Sequence, residues 1–335
     1  MYKTPHHTEN LNNFSFLVTG GAGFIGSNIV EYLVKHHAGK VRILDNLSTG
    51  FRRNIEPFES LSNVEFIQGD IRDAQLCMKA CEGIDYVLHQ AALGSVPRSI
   101  KDPIATNQSN VDGFLNMLVA AKESGIKRFV YASSSSVYGD SPCLPKTESN
   151  IGNPLSPYAV SKYVNELYAN VFAKCYDLEI IGLRYFNVFG PNQSPQGAYA
   201  AAIPLFMSGL LHNSAPYING DGSQTRDFTF VENAVQANIK AVFTTNALAL
   251  SNVFNIACGD RTSVNELFDI LKQISGSSLS PNYRDERPGD IKDSLADISK
   301  AKTLLGFAPQ VKIQEGIKIT FDWFKQNIHL LDGLI

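Results

Sequence analysis

A short apolar run, FSFLVT (14–19), leads into GGAGFIG (20–26) and then SNIVEYLVK (27–35). The order reads as strand, glycine turn, helix. No other stretch constrains the fold as strongly, because a strand that feeds a helix through glycines opens a right-handed strand–helix–strand unit. The glycines permit a tight turn and let a pyrophosphate approach the backbone at a helix N-terminus. Two registers fit: Gly21, Gly23 and Gly26 as G-x-G-x-x-G, or Gly20, Gly23 and Gly26 as G-x-x-G-x-x-G. A lone glycine fingerprint is a weak signal; its flanks give this one weight.

The alternation continues. The strand VRILD (41–45) ends in Asp45, 19 residues after Gly26. An acid there accepts hydrogen bonds from a ribose 2′-hydroxyl and repels a 2′-phosphate, which favours NAD over NADP. Arg52 and Arg53 follow and would offset that charge if they turned toward it. VEFIQ (64–68) ends at Gly69-Asp70-Ile71, where an adenine would be flanked. IDYVLHQ (84–90) leads to Gln90, Ala91 and Ala92, polar then small, so that a cofactor would lie across the strand end. A long helix over 104–124 carries Asn110, and a fifth strand, IKRFVYA (126–132), delivers the serine run 133–136. Strands alternating with helices predict a doubly wound parallel α/β sheet with ligands at the carboxyl ends of the strands. Five candidate motifs fall at five such ends.

Tyr158 and Lys162 follow the serine run in LSPYAVSKYVNEL (155–167). Four apart on a helix, they share one face. A cation beside a phenol favours the phenolate, and so makes a general acid/base at a hydroxyl or carbonyl. Of the 13 tyrosines, only Tyr158 has a lysine four residues on. An amphipathic surface pair is the alternative, and the strand-end motifs weigh against it.

With 335 residues, 44% of them hydrophobic, the chain suits one large domain or two intimately joined ones. Net charge is −3, and no basic run suggests a nucleic-acid surface. Cys77 and Cys81 lack the further ligands of a metal site, so reduced thiols are expected. The first 13 residues read as a solvated polar tail, with His6 and His7 in it. No apolar run reaches membrane-spanning length, and a soluble cytoplasmic protein without membrane insertion is expected.

The chain resembles the extended short-chain dehydrogenase/reductases, specifically the nucleotide-sugar epimerases and dehydratases. The resemblance is carried by TGGAGFIG (19–26), LDN (44–46), GDIR (69–72), HQAA (89–92), SSSSVYG (133–139), SPYAVSK (156–162) and LRYFNVFG (183–190). HQAALGSVPRS (89–99), VDGFLNML (111–118) and LSPYAVSKYVNELY (155–168) look most like bacterial UDP-N-acetylglucosamine/N-acetylgalactosamine 4-epimerases of surface-polysaccharide pathways. The resemblance implies a Rossmann domain over 1–184 with 228–257. It also implies a smaller, discontinuous α/β sugar-nucleotide domain over 185–227 with 258–335. It implies Tyr158 as catalytic base, Lys162 as its partner and Ser134, three before VYG, as the catalytic hydroxyl. Ser136 matches a substrate contact, and Ser133 and Ser135 packing positions, although four serines in a row let the assignment slip by one. For NAD it implies Gly20, Gly23, Phe24, Ile25, Gly26, Asp45, Asn46, Ser48, Thr49, Gly50, Asp70, Ile71, Gln90, Ala91, Ala92, Asn110, Tyr185 and Val188, with Tyr158 and Lys162. For the UDP-sugar it implies Ser95, Arg98, Ser134, Ser135, Ser136, Asn187, Ala201, Tyr217, Asn219, Arg226, Arg287, Asp290 and Ser294. Guanidinium forks suit the diphosphate at Arg226 and Arg287; the alternative for each is a surface ion pair with Asp227 or Asp290. Asp290 would hold a ribose hydroxyl or serve the structure.

The implied reaction is an NAD-dependent 4-epimerisation of UDP-GlcNAc and UDP-GalNAc through a 4-keto sugar. Related dehydratases carry an acid and a base where Ser135 and Ser136 stand here, which argues against dehydration. Decarboxylation of a UDP-uronate stays open. So does 4-epimerisation of an N-acetylated uronate, with Arg98 or the loop 95–99 meeting the carboxylate. Ser294, four after the Asp of RPGD (287–290), occupies the position where the family places a bulky tyrosine to keep out the 2-N-acetyl group. A serine predicts room for it and disfavours UDP-glucose, while a helix N-cap is the alternative role. A homodimer through the helices near 104–124 and 156–175 is expected. Outside catalysis, an NAD-binding regulatory protein on the same fold is the rival reading.

Overall fold

The computed structural model describes residues 1–194, 202–286 and 292–331. The first half alternates β1 (Ser15–Thr19), α1 (Phe24–Lys35), β2 (Lys40–Asp45), β3 (Val64–Gln68), α2 (Ala74–Cys81) and β4 (Tyr86–His89). Next come α3 (Val96–Lys101), α4 (Pro103–Asn107), α5 (Gly113–Glu123), β5 (Arg128–Ser134), α6 (Pro157–Tyr176) and β6 (Ile180–Tyr185). The second half runs through β7 (Val188–Phe189), α7 (Ala202–Leu211), β8 (Tyr217–Asn219), β9 (Thr225–Arg226), β10 (Thr229–Phe230), α8 (Val231–Phe243) and β11 (Asn252–Ile256). It ends with β12 (Thr262–Ser263), α9 (Val264–Ser275), β13 (Asn282–Arg284), α10 (Ser299–Leu305) and α11 (Ile313–Gln326).

The main sheet has seven strands in the order β3-β2-β1-β4-β5-β6-β11, every neighbour parallel. The order reverses at β1, which opens a crevice between the carboxyl ends of β1 and β4. Both faces are covered. Phe16 and Val18 of β1 pack with Ile29 and Leu33 of α1 and with α8, whereas Leu17 packs with Cys77 of α2, Phe114 of α5 and Phe172 of α6. Burial on both sides explains why these strands read as apolar runs rather than alternating ones. A separate apolar cluster joins Phe189 and Phe230 to α7, α9 and α11.

Three local expectations are corrected. The helix over 104–124 is broken by a π-turn, Gln108–Asp112, between α4 and α5. Residues 95–99 are not a loop; Ser95 caps α3, its Oγ accepting from the Arg98 N–H at 3.3 Å. The N-terminal residues are no solvated tail. Tyr2 is fully buried, its hydroxyl donates to Asn28 Oδ1 at 2.6 Å, and His6 stacks on Tyr32 of α1 with centroids 5.4 Å apart. Composition misleads here because Tyr and His present apolar rings as well as polar tips. No described helix is long and apolar enough to cross a membrane.

Candidate active site

The glycine turn settles its own register. Gly20 takes φ +67°, and a Cβ on Gly26 would lie 2.1 Å from the Gly20 carbonyl oxygen. Gly20 and Gly26 therefore touch backbone to backbone, with Gly23 N–H donating to Gly20 O at 3.0 Å between them. A Cβ on Gly21 would meet only the Ile43 side chain within 3 Å. The register is Gly20, Gly23, Gly26.

A cavity of about 430 Å³ lies over this turn. Its wall includes Gly20, Gly23, Phe24, Ile25, Gly26, Asp45, Asn46, Ser48, Thr49, Ile71, Gln90, Ala91, Ala92, Arg98, Ser134, Tyr158, Lys162, Tyr185, Asn187 and Val188. Asp45 ends β2 with Oδ2 accepting from Ala22 N–H at 3.0 Å and Oδ1 from Leu47 N–H at 2.8 Å. Burial pushes its carboxyl up while those N–H groups pull it down. Arg52 and Arg53 do not neutralise it: Arg52 pairs with Glu59 at 3.2 Å and Arg53 stacks over Phe51 at 3.8 Å. Asp70 is committed to Arg72 at 2.7 Å and to Asn46 at 2.8 Å, which holds its carboxyl down at about 2, and Gly69 and Ile71 form the wall beside it. Gly50 packs beneath the turn, where a Cβ would meet Ala22 backbone at 2.8 Å.

At the other end, β5 and α6 converge. Ser136 Oγ donates to Ser134 Oγ at 2.8 Å, and its N–H reaches the same oxygen at 3.1 Å. Ser133 also lines the cavity, but its hydroxyl is spent on Glu166, donating at 2.5 Å. Lys162, 2% exposed, donates to Ala132 O at 2.9 Å. Burial drives its amine down to about 8, against the opposing pull of Glu166. The expected lowering of the Tyr158 phenol by Lys162 is not what the structure shows. Burial pushes Tyr158 up, with the Ser134 hydroxyl working the other way, because the deep ring loses more hydration than the site returns. Tyr185 sits in a closed triangle, donating to Gln90 Oε1 at 3.1 Å and accepting from Asn238 Nδ2 at 2.7 Å, while Gln90 Nε2 donates to Asn238 Oδ1 at 3.1 Å. Asn110 stands behind the wall rather than on it. Its amide donates to Leu93 O and Ser161 Oγ, each at 3.1 Å, and its oxygen accepts Leu93 N–H at 2.7 Å. The π-turn instead presents Ser109 to the cavity.

The residues from 16 to 257 match the model of the NAD dependent epimerase/dehydratase family. The chain belongs to that family. A putative UDP-glucose 4-epimerase of Methanocaldococcus jannaschii is 42% identical over 313 residues, 93% of this chain and 98% of that one. The UDP-N-acetylglucosamine 4-epimerase of Methanobrevibacter ruminantium, solved with UDP-N-acetylmuramic acid, is 42% identical at a TM-score of 0.89, covering 94% of this chain and 99% of its own. The UDP-glucuronic acid 4-epimerase of Bacillus cereus, solved with UDP-glucuronic acid and NAD, is 34% identical at a TM-score of 0.85, covering 93% and 99%. NAD is the cofactor of the family, and the cavity fits it. The backbone-to-backbone glycine cradle leaves no side chain in the way of a pyrophosphate, and an acid stands at the end of β2.

A second cavity opens beside the first. It has about 250 Å³ and shares Asn187 and Val188 with the first. Tyr217, Asn219 and Arg226 are on its wall, with Arg284, Phe228 and Gln224, which sequence reasoning missed. Arg284 lies over the Tyr217 ring at 5.2 Å and donates to Asn219 Oδ1 at 2.6 Å. The signal was present as an arginine three residues before Arg287, on the short strand β13. Arg226 donates to Thr225 O at 2.9 Å and Lys292 O at 3.1 Å. Its alternative partner Asp227 is turned inward, accepting N–H groups of Cys258, Gly259 and Ala296, with its carboxyl pushed up to about 6 by burial. Ser95 spends its hydroxyl on the α3 cap, and Ser135 opens the turn after β5. The N-cap role for Ser294 is overturned: its N–H bonds Thr225 O at 3.1 Å in an extended segment, and Asp297 accepts the Ser299 N–H at the start of α10. Ala201, Arg287 and Asp290 lie outside the described residues. Among the described residues no His/Cys/Asp/Glu group could hold a metal.

Proposed function

We propose that the protein is a UDP-sugar 4-epimerase whose preferred pair is UDP-GlcNAc and UDP-GalNAc. The observation that carries the reading is the meeting of Ser134, Tyr158 and Lys162 in the cavity above the glycine turn, continuous through Asn187 and Val188 with a second cavity lined by Arg226. The glycine turn Gly20–Gly26 and Asp45 would hold NAD, which would supply a hydride acceptor and donor for the sugar C4. Tyr158 takes the proton of the 4-hydroxyl and gives it back. Ser134, its hydroxyl linked to Ser136, hydrogen-bonds the C4 oxygen as charge develops there. Lys162 supplies positive charge beside the phenol and holds the β5 end. Arg226 and the Tyr217–Arg284–Asn219 group anchor the nucleotide while the keto sugar turns over. Ser135 and Ser136, neither acid nor base, favour epimerisation over dehydration. Ser294, small and free of a capping duty, supports an N-acetylated sugar.

One observation supports a second reading, a 4-epimerase of N-acetylated UDP-uronates: Arg98 is on the wall of the main cavity, where a guanidinium would meet a carboxylate. The same proposal includes a homodimer. Ile100, Ile104, Leu167 and Val171 on the α3–α6 side are 63%, 70%, 51% and 52% exposed, an apolar surface that a second copy would cover. Product analysis with UDP-GlcNAc, UDP-Glc and UDP-GlcNAcA side by side tests the function. UDP-GalNAc is the expected dominant product. Turnover of UDP-GlcNAcA alone would establish the second reading, and turnover of none would leave an NAD-binding protein without this activity.

A further inference from the structure

Tyr158, Lys162 and Glu166 form one stripe on α6 at intervals of four, and only the first two have a part in the reaction as described. Glu166 is 7% exposed, an unusual place for a carboxylate. Arg184 grips it with Nε at 2.8 Å from Oε1 and Nη2 at 2.7 Å from Oε2. The Ser133 hydroxyl donates to its Oε1 at 2.5 Å, while Lys162, one turn earlier, donates to the carbonyl of Ala132 at 2.9 Å. Consecutive turns of α6 thus hold consecutive residues of β5, and the next residue is Ser134.

We propose that Glu166 is a positioning residue for the reaction: with Lys162 it clasps the end of β5, fixing Ser134 against Tyr158, and it keeps the Lys162 ammonium charged in a buried site. The inference rests on the roles assigned above to Tyr158, Ser134 and Lys162. A buried ion pair alone adds little stability over apolar residues of the same volume, so stability does not account for a carboxylate here that also reaches Ser133 and acts on Lys162. The electrostatics agree with the geometry. Burial lowers Lys162 to about 8, and Glu166 opposes the loss. The other groups around the pair do not take over that duty. Burial pushes Tyr158 on α6 and Tyr131 on β5 both up, which disfavours a resident anion on either, and His89 on β4 is lowered to about 3 by burial. Arg184 on β6 and Lys300 on α10 are cations. Glu166 is therefore the anion that faces the lysine.

The test is Glu166→Gln in the full-length holoenzyme. The sign follows from Lys162: its charged form is lost as pH rises through its folded pKa, and removing the carboxylate lowers that pKa. The alkaline limb of kcat should move about one pH unit toward acid, with kcat down about tenfold and KM for the UDP-sugar within about twofold. Glu166→Asp, which keeps the charge, should return the limb toward its original place. If the single variant does not fold, Glu166→Gln with Arg184→Gln removes both charges and leaves no buried guanidinium unpaired, and the same shift is expected for Lys162. A second readout is independent of turnover: the pH midpoint for acetylation of Lys162 by acetic anhydride, followed by peptide mass spectrometry, should fall with the limb. An unmoved limb and an unmoved labelling midpoint in a folded variant would overturn the inference. Absence of UDP-sugar turnover by the unaltered protein would instead overturn the proposed function, and the lysine labelling would still decide this question.

Discussion

At Tyr158 the proposed chemistry comes down to one phenol oxygen. Tyr158→Phe keeps the ring and its packing and removes the proton carrier, so kcat for epimerisation should fall by about 10²–10⁴-fold with NAD content unchanged. Near-normal interconversion of the two epimers would sink the mechanism. Substrate choice is assigned to a different residue. Ser294→Tyr should lower the ratio of kcat/KM for N-acetylated over non-acetylated UDP-sugar by tenfold or more, on the order expected when a pocket loses room for a substituent; an unchanged ratio removes Ser294 from the specificity argument. The family resemblance puts the catalytic hydroxyl at Ser134 but lets it slip by one; only the packed structure shows the Ser133 hydroxyl spent on Glu166 while that of Ser134 meets Ser136 on the same cavity wall. Asn110 shows the converse. Its motif was legible, yet the π-turn rotates it behind the wall.

The strand–turn–helix element built from β1 and α1 is the most exacting part of the fold. Gly26→Ala would place a Cβ on the Gly20 carbonyl, which is backbone and has no rotamer to yield. We expect a loss of roughly 1–3 kcal/mol by thermal melting, the scale of overpacking, together with loss of bound NAD by absorbance of the denatured supernatant. A variant that retains both stability and cofactor would show that the turn can open. Helix α6 is two-sided. Its inner stripe carries Tyr158, Lys162 and Glu166, and its outer residues Val160, Leu167 and Val171 are about half exposed. Leu167→Glu with Val171→Glu should convert a dimer to a monomer in light scattering without unfolding the chain, since neither side chain belongs to the buried core. An assembly of unchanged mass would place the interface elsewhere.

Across the whole molecule, the N-terminal residues are tied to α1, and α1 carries the cofactor turn. Asn28 accepts from Tyr2 and donates to the Pro191 carbonyl at 3.1 Å, which links the first residues to the segment after β7. His6 is lowered to about 4 by burial, with Lys240, His36 and His7 adding to the effect. A histidine depressed in the folded state binds its proton more readily when unfolded, so stability falls as pH drops from about 6.5 toward 4. Partial solvent screening leaves on the order of 1–2 kcal/mol. His6→Gln should flatten the melting temperature against pH in that window, and an unchanged slope would show that other groups carry the acid sensitivity.

Local pattern determined a great deal. Apolar runs, glycines and helical spacing are properties of neighbours in the chain, and they placed the strands, the cofactor turn and the Tyr158–Lys162 pair where the structure has them. The parallel order β3-β2-β1-β4-β5-β6-β11, the joining of two cavities at Asn187, and the clasp of Ser133 by Glu166 were decided only in three dimensions. Each depends on contacts between residues tens to over a hundred positions apart, and on how much water burial removes from a charged or phenolic group. That last effect is why burial raises the phenol of Tyr158, read from its neighbours as an activated one, with only the Ser134 hydroxyl working the other way.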